Sequence, residues 1–131
     1  MKSQSYPPPR KNALAFFLAH IDILEWFANS EYEFICSIYI IDNAAKNGHI
    51  EILKWFANSK YEFKYSKKAI NIALIYHKLE ILKWFDESKY EIKYTPKKIK
   101  RVLEEDCTDI YEYLGPNSRI IKILDSQKID K

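Results

Sequence analysis

One stretch of this chain is written three times, and that repetition limits what it can fold into more than any other feature. The middle copy reads Gly48-His49-Ile50-Glu51-Ile52-Leu53-Lys54-Trp55-Phe56-Ala57-Asn58-Ser59. It is preceded by Ala19-His20-Ile21-Asp22-Ile23-Leu24-Glu25-Trp26-Phe27-Ala28-Asn29-Ser30 and followed by His77-Lys78-Leu79-Glu80-Ile81-Leu82-Lys83-Trp84-Phe85-Asp86-Glu87-Ser88. Trp26, Trp55 and Trp84 are 29 residues apart, and one more step of 29 lands on Tyr113 in a faded copy, Thr108-Asp109-Ile110-Tyr111-Glu112-Tyr113-Leu114. A fixed period between about 20 and 50 residues marks a repeat architecture in which each unit covers the apolar flank of its neighbour.

Size and composition fit one such array. A chain of 131 residues suits a single continuous core. At 47% hydrophobic and 30% charged it is built to fold. The net charge of +3 is too small to mark a nucleic-acid binder without a local cluster. Two glycines are too few for a Gly-rich phosphate loop or for hairpins that need positive φ. The apolar stretch Phe34–Ile41, interrupted only by Ser37, is eight residues, against the roughly 20 needed to cross a bilayer. Met1-Lys2-Ser3-Gln4-Ser5 followed by Pro7-Pro8-Pro9 lacks the apolar centre of a secretion signal and reads as an extended lead-in. Cys36 and Cys107 hold different repeat positions two units apart, beyond disulfide reach, so the expected compartment is reducing and cytoplasmic.

The unit Ser66 to Tyr94 shows the local plan. Ser66 is placed to cap a helix, and Ala69, Ile70, Ala73 and Leu74 form an apolar stripe ending near Tyr76. A second helix starts at Leu79, is expected to bury Leu79, Leu82, Trp84 and Phe85 with Glu80, Lys83 and Asp86 wet, and ends near Ser88. In the earlier copies Asn29 and Asn58 are placed to close that helix in the left-handed conformation. Lys89-Tyr90-Glu91-Ile92-Lys93-Tyr94, Lys60–Tyr65 and Glu31–Cys36 then alternate in polarity, as an extended segment with one face buried does. Ser37, Ser66 and Thr95 hold one register as helix caps, and Pro96 suits the first helical position.

The expected organisation is a lead-in over 1–10, four units over 11–114 (11–36, 37–65, 66–94 and 95–114), and a capping helix and tail over 115–131. In the first unit the first helix is confined to about residues 11–18. The last helix is expected over Arg119–Leu124, with fraying from Asp125. The Trp-Phe pairs read as core, each Phe inside and each Trp over the joint between units. Trp55→Ala is expected to cost about 3–5 kcal/mol on that reading.

Asn43-Ala44-Ala45-Lys46-Asn47-Gly48-His49-Ile50-Glu51-Ile52-Leu53-Lys54 resembles the ankyrin repeat, whose consensus there runs L-A-A-x-x-G-H-L-E-V-V-K. Tyr61-Glu62-Phe63-Lys64 aligns with the ankyrin A-D-V-N segment, and the likeness covers roughly residues 11 to 114. The tetrapeptide T-P-L-H is replaced by Tyr39-Ile40-Ile41-Asp42 and Lys68-Ala69-Ile70-Asn71, and the unit is 29 residues where ankyrin has 33, so the hairpin fingers should be stubby. The spacing and wording are similar to ankyrin proteins of giant DNA viruses. The resemblance implies an all-α, ankyrin-like helical repeat solenoid with short extended connectors, acting as a non-catalytic protein–protein interaction scaffold. It implies a concave docking face carried by Phe17, Leu18, Lys46, Asn47, Ile75, Tyr76, Glu104 and Glu105, with Lys67, Lys68, Lys97 and Lys98 at the connectors. Ile75 and Tyr76 would be its hot spot. For a viral chain the partner would be a host or virion protein, met in the host cytoplasm.

No catalytic or metal-binding constellation competes with this. His20 and His49 share a repeat position about 10 Å apart, whereas zinc ligands sit about 2 Å from the ion. Lys78 and Cys107 break that row. The resemblance gives this histidine a structural role, joining neighbouring turns, and the adjacent His77 has no partner legible in the sequence. Glu104-Glu105-Asp106 are consecutive and point about 100° apart on a helix, so they do not converge as an acid pair. Neither a cofactor, a metal, a membrane nor a small-molecule substrate is expected. Lys64, Lys67, Lys68, Lys93, Lys97, Lys98 and Arg101 gather at one edge of the third and fourth units. They serve either solubility or an acidic partner, with nucleic acid or another acidic surface as the alternative ligand.

Overall fold

The computed structural model describes residues 21–29 and 38–129. The lead-in, the helix expected over 11–18, Phe17, Leu18, His20, the connector 31–36 with Cys36, the Ser37 cap and the side chain of Phe27 lie outside the described residues.

Among the described residues the chain is helical and contains no strand. The elements are α1 (Ile21–Ala28), α2 (Ile38–Asn47), α3 (Ile50–Ala57), α4 (Lys67–Ile75), α5 (Leu79–Glu87), α6 (Pro96–Leu103), α7 (Thr108–Leu114) and α8 (Arg119–Ile129). Helices at equal repeat positions pack on one another. The first helices make the row α2–α4–α6, which α8 extends, and the second helices make the row α1–α3–α5–α7.

The first two of these first helices end alike, whereas α6 closes at Glu104 with right-handed backbone (φ −75). After α2, Gly48 adopts φ +76 while the N–H groups of Gly48 and His49 bond back to the carbonyls of Ala45 and Ala44. After α4, His77 adopts φ +54, with its own N–H on Leu74 and that of Lys78 on Ala73. Both are left-handed closures of the Schellman type, and they force the next helix to start at once. The second helices close differently from the sequence expectation. Asn58 has φ −97, not a left-handed value, and its side-chain Nδ2 donates to the Lys54 carbonyl at 2.9 Å. Asn29 makes the same bond to Glu25 at 2.9 Å. The side-chain amide thus adds a second donor to a carbonyl that already accepts the same residue's backbone N–H, reinforcing the last turn.

The core is one cluster running through all the described units. In α5 the inward residues are Ile81, Leu82 and Phe85, while Leu79 and Trp84 are half-buried. That corrects the expected set. Trp84 and Phe85 lie about 100° apart on the helix; with the inward arc held by Ile81, Leu82 and Phe85, Trp84 falls at its edge and stays half-buried. Phe56 and Trp55 divide in the same way.

Connectors supply the seal between units. Phe63 lies flat on Tyr90, centroids 4.1 Å apart, and stacks on Trp84 at 5.5 Å, so the end of one unit is clad by the aromatics of the next. Ser59 and Ser88 shape these turns identically. Each hydroxyl donates to the carbonyl three residues back and accepts the N–H two residues on.

The joints also carry a buried polar clamp. Asp42 takes the backbone N–H of Ser66 at 2.9 Å and its hydroxyl at 2.5 Å. One unit on, Asn71 Oδ1 accepts the N–H of Thr95 at 3.0 Å, and its Nδ2 donates to Thr95 Oγ1 at 2.9 Å. Ser66 still caps α4, accepting from Lys68 at 3.1 Å. Thr95 does not cap α6 with its side chain, because that hydroxyl is engaged by Asn71.

The last helix is longer than expected. Instead of fraying at Asp125 it runs to Ile129, buries Ile120, Ile121 and Leu124, and holds Tyr111 between the Asp125 carboxylate at 2.9 Å and the Lys128 ammonium.

Candidate interaction surface

The side of each first helix turned away from the core is a stripe with the same register in successive units. It comprises Tyr39, Asn43 and Asn47 on α2, Lys68 and Ile72 on α4 with Tyr76 at its C-cap, and Lys97 and Arg101 on α6 with Glu105 just past its end. Positions four apart share a helix face, which is why these align. Tyr76 is the most exposed large hydrophobic side chain of the described residues at 66%, and Tyr39 follows at 47%.

The sequence-derived candidates fall on or beside this stripe. Lys46, Asn47, Lys67, Lys68, Lys97, Lys98, Glu104 and Glu105 are exposed. Ile75 is half-buried and packs on the core, so Tyr76 is the freer member of that pair. Phe17 and Leu18 lie outside the described residues. Ile72, absent from the candidates, belongs with them, and its spacing four residues from both Lys68 and Tyr76 was the signal.

The positive edge divides into used and unused cations. Lys93 is built into the fold, its Nζ 4.1 Å above the Tyr65 ring and 3.2 Å from the Tyr65 carbonyl. Contacts between basic side chains and carboxylates among the described residues are His49–Glu51, His77–Asp109 and Lys83–Glu87, so no carboxylate of a described residue lies within 4.0 Å of Lys67, Lys68, Lys97, Lys98 or Arg101. Second helices obey the macrodipole, with Asp22, Glu51, Glu80 and Asp109 in their first turns. First helices do not: α2, α4 and α6 have no acid there, and α4 and α6 start with lysines. Each misplaced cation costs about 0.3–1 kcal/mol at low salt.

Around this surface the chemistry is structural. His77 Nδ1 lies 2.9 and 2.8 Å from the two oxygens of Asp109, tying the third unit to the fourth. His49 faces Glu51 of its own helix at 3.6 Å, and the joint between units is made by Asp42 and Asn71 rather than by this histidine. Asp106 accepts the Thr108 hydroxyl at 2.7 Å and its N–H at 3.0 Å, and those bonds hold its carboxyl below the usual range. Cys107 is buried, which pushes its thiol up and keeps it protonated at neutral pH. Open clefts repeat between successive second helices. One of about 640 Å³ is lined by Glu25, Asn29, Lys54, Trp55 and Tyr61 among others, and one of about 350 Å³ by Trp84, Lys89 and Tyr90 among others.

Among the described residues no cluster of three or more His, Cys, Asp or Glu side chains is arranged to hold a metal ion, and no helix is long and apolar enough to cross a membrane. No family model, curated protein or solved structure matches the chain significantly.

Proposed function

We propose that the chain is an ankyrin-like helical repeat solenoid with short extended connectors, and that it works as a non-catalytic scaffold holding another protein against the outward stripe of its first helices. The observation carrying this reading is that stripe itself: the register 39–43–47, 68–72–76 and 97–101–105 recurs with the 29-residue period, while its side chains, Lys68 and Lys97 apart, change from unit to unit. A core position repeats in both spacing and residue type, as Phe56 and Phe85 do. A face that keeps spacing and varies identity is what partner selection requires. The partner would be a protein met in the cytoplasm, a host or virion protein for a viral chain.

Affinity capture from cell lysate with the full chain, and with Ile75→Asp/Tyr76→Asp as control, supplies candidates. Each captured protein is then purified and titrated calorimetrically. The scaffold reading expects at least a tenfold weaker Kd for the control, since loss of a hot spot is worth about 2 kcal/mol or more. A control that binds every candidate as tightly as the parent overturns it.

A second reading, binding of nucleic acid or another acidic surface by the lysine edge, is favoured by Lys67, Lys68, Lys97 and Lys98, which have no carboxylate partner among the described residues. Salt separates the two. Phosphate binding weakens steeply with ionic strength, and an apolar protein contact does not.

A further inference from the structure

We propose that the stripe shared by α4 and α6 receives an acidic segment of a partner protein, its carboxylates on Lys67, Lys68, Lys97, Lys98 and Arg101 and an apolar side chain seated on Ile72 and Tyr76. The inference rests on the scaffold reading and names the chemistry of its partner.

Three observations converge on that occupant. The five cations are exposed, unpaired among the described residues and gathered on two neighbouring helices, with Lys68 and Lys97 in one register a unit apart, so a chain crossing from α4 to α6 meets positive charge on both. Lys67, Lys68, Lys97 and Lys98 stand in first turns, where the helix dipole opposes them, while every described second helix carries an acid in that place. A local rule that is followed in one helix row and broken in the other marks a surface kept for something outside the fold. Finally, the cations border an apolar strip, half-buried Ile72 and exposed Tyr76, which charge alone does not require.

The same layout argues against a nucleic-acid strand. The far end of α6 turns acidic at Glu104, Glu105 and Asp106, all exposed. A backbone with a charge about every 3.4 Å per strand would run from the lysines into these carboxylates. A peptide places its acids only at the lysine end and its apolar residue at Tyr76.

The test is selection of a displayed library of random peptides, about twelve residues long, against the full chain. Winners are then titrated against the parent, Lys68→Glu/Lys97→Glu, Lys68→Gln/Lys97→Gln and Tyr76→Ser. Winners are expected to be enriched in Asp and Glu with an aromatic or aliphatic residue. They should lose about tenfold or more on charge reversal, less on neutralisation, and about tenfold on Tyr76→Ser. All these side chains are exposed, so each variant should melt within about 3 °C of the parent. The inference is overturned if winners carry no acidic bias, if charge reversal leaves them bound, if no peptide is enriched, or if a single-stranded oligonucleotide binds more tightly than they do. Neutral winners lost on Tyr76→Ser would remove the acidic partner and leave the scaffold reading standing. Winners of any charge indifferent to Tyr76→Ser would remove both.

Discussion

Asp86 and Arg119 cap each other's helices. The Asp86 carboxylate, at the end of α5, accepts the backbone N–H of Arg119 at 2.8 Å and that of Ile120 at 3.4 Å, which are the orphan donors at the start of α8. The Arg119 guanidinium returns the favour at the end of α5, donating to the carbonyls of Phe85, Asp86, Ser88 and Tyr90 at 2.7–3.2 Å. Opposite charges thus stand at the correct poles of two helices at once. Earlier units hold Ala57 and Tyr90 at the equivalent places, and Ala28 and Tyr61 before them. The exchange of an Ala–Tyr pair for Asp–Arg occurs where α8 takes over from the extended connector.

Truncating this pair should therefore loosen the end of the array. Arg119→Ala is expected to cost about 1.5–3 kcal/mol, since several charge-assisted bonds to backbone vanish together. Asp86→Ala should cost about 1–2 kcal/mol as a lost cap. Because the two groups act as one device, the double variant should fall short of the sum by about 0.5 kcal/mol or more in urea melts. Full additivity would show two independent caps.

Repetition made the helices legible, and the departures from repetition held what was missed. Period 29 and the stripes at 69–70–73–74 set the units, because core contacts recur at fixed offsets. The clamps do not announce themselves. Asp42 and Ser66, or Asn71 and Thr95, are 24 residues apart and share no local pattern. Asp86 breaks a column of alanines, a visible signal that reads as solvated surface until its partner 33 residues on is brought alongside. Residue type alone suggests left-handed closures at Asn58 and Asn29, yet Asn58 keeps a negative φ, and positive φ stands where one helix turns into the next, at Gly48, His77 and Gly115.

The clamps carry a prediction of their own. Asp42 and Asn71 are each 7% exposed. Removing either side chain strands the partner's N–H and hydroxyl in a joint between units, a loss of about 1–3 kcal/mol for Asp42→Ala or Asn71→Ala in denaturant titrations. Asn71→Asp should be tolerated far better, within about 1 kcal/mol, because the second unit uses aspartate in the same role.

His77 sets a strained backbone against a useful side chain. A non-glycine residue at φ +54 costs about 1–2 kcal/mol, and its partly exposed hydrogen bond with the Asp109 carboxylate recovers about 0.5–1 kcal/mol. His77→Gly relieves the first and loses the second, so its stability should stay within about 1 kcal/mol of the parent. His77→Ala keeps the strain and loses the bond, and should fall about 1 kcal/mol below the Gly variant. Gly48→Ala, with open space for the new Cβ, should cost about 1–2 kcal/mol from backbone alone.

The indoles should matter less than their neighbours. Full burial of Trp55 would set the cost of Trp55→Ala at about 3–5 kcal/mol, but the ring is half-buried, and about 1.5–3 kcal/mol is expected instead. Phe56, 2% exposed, keeps the larger figure of about 3–5 kcal/mol. Paired melts of the two variants check the order, and a costlier Trp55→Ala would mean that the two rings exchange places.

Asp106 and Tyr65 contribute to the pH dependence of stability from opposite sides. Asp106 is held below the usual carboxyl value of 3.8, first by the Thr108 hydroxyl and then by the Thr108 N–H. A folded value depressed below the unfolded one gives stability that is present above the unfolded value and is lost as pH falls through the folded one, so it fades in acid below about pH 4. Tyr65 moves the other way: burial, then the charge of Glu91, raises it above the usual 10.0. Its contribution is whole below pH 10 and is lost as pH climbs through the raised value, when the hydroxyl can no longer donate to the Glu91 carbonyl at 2.6 Å. Melting temperature against pH should therefore fall at both ends. Asp106→Asn should flatten the acid limb and leave the alkaline one, and Tyr65→Phe should lower the plateau by the one lost hydrogen bond, about 1 kcal/mol, while flattening the alkaline limb. An alkaline limb unchanged in Tyr65→Phe would assign it to Tyr90 and Tyr111, which burial also raises.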